Sequence, residues 1–308
     1  MSGHIERLHD LADALAAHAL LDTDLQVMAH DAALHAVDLR ALLAGQSKSV
    51  TWVLESNVFA ETCFDRMMEH FRQRGVEHHV VRIIPFVHEI EGRVPDVNGP
   101  CVVYGSIGIQ KLADRHGWSP GVFPVPTEDE AAIALGDLYL NSDAMMMKMS
   151  EVEAYLAKTI TGEEVFIKPD TDTKEFAGQV IDAAQFSSWY AGMIDSGYLD
   201  GNDFYVVVSS PKKLGCEWRV VVVDGKIVTS SLYRQWGMVK AEEHILPEVV
   251  EVVMAAHAKL VPGPVYVIDI AQHGDEFKVI EYNTFNSAGL YECNVEAIID
   301  AVSEYVGR

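Results

Sequence analysis

Basic residues are scarce in this chain: 23 Lys and Arg stand against 46 Asp and Glu, a net charge of −23. A broad nucleic-acid or anionic-membrane surface needs basic patches, and this deficit argues against one. A small pocket for phosphates needs only a few cations and stays open. Cysteine is sparser still. Cys63, Cys101, Cys216 and Cys293 are dispersed and form no C-x-x-C pair, which argues against a disulfide scaffold or a zinc site. Reduced, mostly buried thiols in a cytoplasmic protein are expected. No uncharged apolar run approaches the ~18 residues of a membrane span. The opening Met1-Ser-Gly-His-Ile-Glu-Arg runs into Asp10, Asp13 and His18 rather than the apolar stretch of a signal peptide. Internal repeats, low-complexity tracts and a recognisable Ser, Cys or His nucleophile triad are also missing.

What is there suffices for two compact domains: 308 residues, 49% hydrophobic and 22% charged, the balance of a chain with a sizeable core. Residues 1–45 are rich in Ala, Leu, His and Asp. Leu8, Leu11, Leu15 and Leu20 fall at helical spacing, so two or three helices ending near Gly45 are expected. Five histidines here (His4, His9, His18, His30, His35) lack a consistent i, i+4 arrangement with carboxylates and read as surface or satisfied core residues. From Val50 the pattern becomes β-α-β, with strands at 50–54, 79–84 and 101–104 and helices over 57–74 and up to His116, which implies a small parallel sheet. Gly105 and Gly108 follow the third strand. Two glycines at this spacing are a weak phosphate-loop signal, and a structural turn is the better reading.

The Pro-rich stretch 118–126 marks the expected domain boundary. Beyond it, helices are expected over 127–138, 150–158, 177–187, 247–260 and 295–306. Strands are expected over 164–168, 204–209, 217–223 and 226–233, with Asp224-Gly225 as a hairpin turn. Two further apolar strands, 265–271 and 277–282, flank the polar turn 272–276 and carry Asp269, Glu281 and Asn283. The two-residue period projects Glu281 and Asn283 to one face. Pairing as a hairpin would let Asp269 face them. Three oxygen donors without sulfur or clustered imidazoles suit Mg²⁺, which retains waters and is completed by nucleotide phosphates. A solvated strand face is the plainer alternative, although an unpartnered acid in a mostly buried strand is costly.

Cations end or interrupt nearby strands: Lys168 before Pro169, Arg219 between Trp218 and Val220, and Arg234. Each could pair with a neighbouring acid, for example Arg219 with Glu217. A polyphosphate with Mg²⁺ would instead satisfy cations and acids together.

In chain order, Phe166-Ile-Lys168-Pro169, Val206-Val-Val-Ser209, Glu217-Trp-Arg219, Asp269 and Glu281-x-Asn283 resemble the ATP-grasp superfamily of carboxylate–amine ligases. The similarity is closest to a clade, common in phages and bacteria, characterised by one arginine and two lysines. Its Phe-Ile-Lys-Pro-Asp segment with a following Lys, Phe and Gly is met by Phe166 to Asp170, Lys174, Phe176 and Gly178. Its Glu-aromatic-Arg strand is met by Glu217 to Arg219, and its Glu-x-Asn-x-x-Asn-Ser-x-Gly-x-Tyr loop by Glu281 to Tyr291. Val102 to Ile107 and Pro120 to Phe123 resemble the clade's N-terminal domain. The resemblance covers about residues 50–308.

The resemblance implies an α+β and α/β molecule. An ATP-grasp fold over 127–308, two α+β subdomains clasping ATP, would follow a parallel-sheet pre-ATP-grasp domain over 49–126 and a helical N-terminal extension over 1–48. Lys168 would hold the α- and β-phosphates, and Lys174 would clamp them from a lid. Val206, Val207, Val208 and Ser209 would offer backbone hydrogen bonds to adenine. Arg219 would contact the β- and γ-phosphates, and Asp269, Glu281 and Asn283 would hold one or two Mg²⁺ ions, with Mn²⁺ an alternative. Peptide-ligase relatives often carry Arg two residues before the first metal acid. This chain has Val267 there, and Arg234 would replace it. Asn286, Ser287, Gly289 and Tyr291 would line the acceptor site, with Tyr233 and Trp236 nearby, although an aromatic such as Trp236 or Tyr291 could simply be core. The implied activity is an amide-forming, ADP-forming ligation of small-molecule or peptide carboxylates and amines through an acyl phosphate. A kinase-like phosphotransferase and a non-catalytic nucleotide-binding module are the alternatives.

Overall fold

The computed structural model describes residues 48–308 apart from 58–60, 85–86, 160–163, 171–175, 197–198 and 200–202. The helices expected before residue 48, and Lys174, lie outside the described residues. Ser49–Val306 forms one compact unit, and the sheets and the site described below lie within it. Elements are numbered in chain order. Among the described residues, no helix is long and apolar enough to cross a membrane.

The first sheet has the order β2-β1-β5-β6, from β1 (Thr51–Glu55), β2 (His78–Val81), β5 (Pro100–Tyr104) and β6 (Ser119–Gly121), all parallel. Every residue of β1 is buried, as expected of a parallel strand covered on both faces. Helices α1 (Glu61–Arg74) and α7 (Val295–Gly307) share a core with Trp52, Leu54, Val102 and Tyr104. Helix α2 (Ile107–His116) packs with Val53, Cys101 and Val103 on the other face. The strand expected over 79–84 is broken at Arg82. There the chain leaves the sheet edge, and β3 (Ile83–Ile84) pairs with β4 (Glu89–Ile90). The Pro-rich stretch is more than a connection. Its start is β6, and Gly121 turns there at φ +64, where a Cβ would lie 2.5 Å from the Trp118 carbonyl oxygen.

After α3 (Glu128–Leu135), the second sheet runs β7-β10-β8-β9, all antiparallel, from β7 (Met145–Lys148), β8 (Glu164–Pro169), β9 (Gln179–Asp182) and β10 (Tyr205–Ser209). Helix α4 (Val152–Thr159) packs on it. A helix over 177–187 is not what forms. β-branched Val180 and Ile181 pair with β8, and Gly178 crosses so close to Phe166 that a Cβ would stand 2.8 Å from the ring. Helix α5 (Phe186–Asp195) begins only after this strand.

The third sheet has the order β13-β12-β11-β14-β15, from β11 (Cys216–Val223), β12 (Lys226–Gln235), β13 (Met238–Glu243), β14 (Val265–His273) and β15 (Glu276–Asn283). Asp224 and Gly225 turn the first hairpin with φ of 51° and 71°, the positive values a tight two-residue turn demands. One face packs Trp218, Val220, Ile268 and Ile270 against α3 and α6 (Pro247–Lys259). The opposite face changes character along its length. Val221, Val223, Val265 and Val267 join the core of the first sheet through Phe285 and Leu290. One register step on, Arg219, Asp269 and Glu281 stand side by side. That boundary between apolar and charged positions places the site.

Candidate active site

Asp269 pairs with Glu281 and Val267 with Asn283 across the β14–β15 hairpin, so the three oxygen-bearing side chains converge on one face. Asn283 Nδ2 lies 3.3 Å from Asp269 Oδ2 and 3.2 Å from Glu281 Oε1. Turning that amide to present Oδ1 would give an all-oxygen set, which fits a hard cation such as Mg²⁺. Among the described residues, no group of three or more His, Cys, Asp or Glu side chains gathers as a metal site.

Arg219 closes the trio from β11. Its Nε and Nη2 donate to the two Asp269 oxygens at 2.9 and 2.7 Å, and Nη1 donates to the Gly289 carbonyl at 2.7 Å. The neighbouring acid Glu217 is not its partner. Instead, Glu217 accepts the Tyr233 hydroxyl at 2.9 Å and meets Arg234 at 3.7 Å. Burial works against the Arg219 charge, but Asp269 outweighs it and holds the guanidinium firmly protonated. Tyr291 stacks on Tyr233, centroids 4.8 Å apart, and both rings face Arg219.

On the other side, Lys168 reaches Glu128 at 2.8 Å and Glu281 at 3.5 Å. Burial disfavours its charge, and the two carboxylates more than restore it. Glu128, at the start of α3, also accepts the Tyr139 hydroxyl. Its own burial raises the carboxyl above the usual range, with Lys168 pulling the other way. A cleft of about 600 Å³ opens over Lys168, Glu128, Asp170, Glu281 and Asn283, large enough for a cofactor-sized ligand. The charges alternate along it without a gap, from Glu128 through Lys168, Glu281 and Asp269 to Arg219.

Residues 143–301, just over half of the chain, match the family model of the ATP-grasp domain, family 2 of the clade named for one arginine and two lysines. The chain belongs to that family. Among solved structures similar to this ATP-grasp chain, D-cycloserine synthetase DcsG has a TM-score of 0.61 at 13% identity, covering 83% of this chain and 99% of its own. D-alanine–D-alanine ligase from Bacillus anthracis has 0.55 at 13%, covering 84% and 94%. A RimK domain ATP-grasp protein from Sphaerobacter thermophilus DSM 20745 has 0.55 at 13%, covering 83% and 98%. At that identity the likeness is one of fold. No curated protein matches in sequence.

Two groups of residues in the ATP-grasp chain depart from the roles expected of them. Val206, Val207 and Val208 lie in an interior strand whose backbone pairs with β7 on one side and β8 on the other, so no free edge is left for a base. Ser209 lies beyond the pairing with β7, and its hydroxyl meets Asn141 at 3.3 Å. Asn286 is fully buried and faces no cleft. It accepts the Phe123 amide at 2.7 Å and donates to the carbonyls of Val103 and Gly121 at 2.6 and 2.9 Å, tying the first sheet to the end of β15. Ser287 keeps a buried hydroxyl with no hydrogen-bond partner, and exposed Gly289 contributes its carbonyl to Arg219. Trp236 is 68% exposed at the tip of the β12–β13 hairpin, outside any core. Glu128 and Tyr139 had no motif to announce them. They lie some 30 to 40 residues before Lys168 and reach it only through the fold.

Proposed function

We propose that this ATP-grasp chain is an ATP-dependent ligase that joins a carboxylate to an amine with release of ADP and phosphate. The observation that carries the reading is the alternating line of buried cations and oxygen donors, Lys168, Glu281, Asn283, Asp269 and Arg219, along one cleft. A metal–triphosphate is the kind of ligand that can engage all of them. Lys168 would exchange Glu128 for phosphate oxygens, and Asp269, Glu281 and Asn283 would hold Mg²⁺. When bound, that ion would neutralise charge on the phosphates. The base would lie toward Ser209, where β10 outruns its partner β7. Lys174 would close over the phosphates.

The substrate carboxylate would attack the γ-phosphorus, forming a C–O–P link and releasing ADP. The amine would then attack the carbonyl carbon, forming the C–N bond as phosphate leaves with the C–O electron pair. Arg219, fixed on three sides, and Arg234, half exposed beside Glu217, would stabilise the growing negative charge in these steps.

The test is ADP release with pooled amino acids and short peptides, with and without hydroxylamine. Acid-dependent ADP release with hydroxamate formation is the expected result, abolished in Lys168→Ala and Asp269→Asn. Phosphorylated product with no hydroxamate would replace the ligase with a phosphotransferase. An unchanged melting temperature with MgATP would end both.

A further inference from the structure

One buried acid takes no part in the line of charges described above. Glu55 ends β1, is 2% exposed, and uses Oε2 to accept the Ser106 amide at 2.8 Å. Its other oxygen has no hydrogen-bond partner among the described residues. A carboxylate this deep with a single amide donor is under-compensated. The backbone is shaped around it: a Cβ on Gly105 would lie 2.5 Å from Glu55 Cβ and 2.8 Å from Oε2.

Its position is also informative. In the order β2-β1-β5-β6, β1 connects outward to β2 and β5 connects the other way to β6, with α1 and α2 on opposite faces. Glu55 therefore stands at the carboxyl-end crevice where the strand order reverses, the place where open α/β sheets bind ligands. A short run of contacts leads from there to the ligation site. The Gly105 amide donates to the Asn286 carbonyl at 2.8 Å, the Tyr104 hydroxyl to the Ala288 carbonyl at 2.6 Å, and Arg219 to the Gly289 carbonyl at 2.7 Å. A carboxylate and a guanidinium thus flank the 286–289 segment.

From this geometry we infer that Glu55 binds the primary ammonium of the substrate whose carboxylate is activated, so that the substrate is an amino acid or a peptide with its amine near that carboxylate. The ammonium meets the open Glu55 oxygen, and the carboxylate lies toward Arg219. This rests on the ligase reading for which group reacts, but binding is measurable without turnover.

The experiment compares binding to the full chain, by calorimetry, of the twenty proteinogenic amino acids and their alanyl dipeptides with that of the matching des-amino acids. An amino-bearing ligand should bind about 10- to 100-fold tighter than its des-amino counterpart, the range expected of one charged hydrogen bond. Glu55→Gln, which still accepts the Ser106 amide, should erase that gap while its MgATP-induced thermal shift matches the parent. The comparison on the parent alone stands even if the variant folds poorly. Equal affinity for the two ligand sets, retained discrimination in a folded Glu55→Gln, or no binding of any member would reduce Glu55 to a helix cap. Failure of the ligase reading shows elsewhere, as missing acid-dependent ADP release, and leaves the binding comparison intact.

Discussion

Arg219 and Asp269 are each less than a tenth exposed, so removing one leaves the other as an uncompensated charge in the interior. That loss costs about 3–5 kcal/mol, and urea unfolding of Arg219→Ala should register it. Arg219→Met combined with Asp269→Leu should lose less than the two single changes summed; additive losses would deny the coupling. Glu128 has the opposite character. It occupies Lys168 at 2.8 Å, so Glu128→Gln frees the lysine for phosphate and should tighten MgATP binding by about tenfold, ~1.4 kcal/mol. Unchanged or weaker binding by calorimetry would show that Glu128 supports the nucleotide instead. At this scale the hairpin trio was legible, because alternation along a strand and pairing across a hairpin are local rules. Asn286 was not. Its motif placed it beside the cleft, and only the packing of the first sheet turns it inward.

At the scale of elements, β-branched runs such as Val220 to Val223 announced their strands. The Met145–Lys148 strand and the exposed β13 carry neither the pattern nor the burial that would mark them. The 177–187 stretch misled because Ala183-Ala184 and the residues after it favour helix, whereas close approach to β8 decides its beginning. Asn286 shows how elements are joined: Asn286→Ala removes partners from the buried Phe123 amide and from two carbonyls, at about 1–3 kcal/mol for each stranded group. Its melting temperature should fall sharply while MgATP affinity holds; a selective loss of acceptor binding at unchanged stability would restore a substrate role. Helices α1 and α7 are bridged by Arg66 and Glu296 at 2.7 Å. Hydrogen bonding to Arg66 holds Glu296 below the ordinary glutamate value of 4.5. The bridge therefore stabilises the fold above that pH and loses its effect as pH falls through the lowered value. Being well exposed, it is worth at most ~1 kcal/mol. Glu296→Gln should be slightly less stable than the parent near neutrality and indistinguishable from it below about pH 4.

For the whole molecule, a net charge of −23 and a cleft for a polyanion oppose each other. Repulsion acts over the Debye length, whereas the cleft cations act only at contact. Raising ionic strength from about 10 to 150 mM should therefore accelerate MgATP association in stopped-flow measurements, the reverse of the behaviour of basic phosphate-binding proteins. A falling rate would mean that the local cations govern the approach as well. The fold class was legible at this scale because strand and helix signals alternate in one half and strands dominate the other. The segment that follows β15 has a wider consequence. Asn283 sits among the metal donors, and three residues later Asn286 is bolted into the first sheet. A ligand that draws this short tether toward one end must be felt at the other. Any factor by which the nucleotide changes affinity for the acceptor is then, by thermodynamic reciprocity, the factor by which the acceptor changes affinity for the nucleotide.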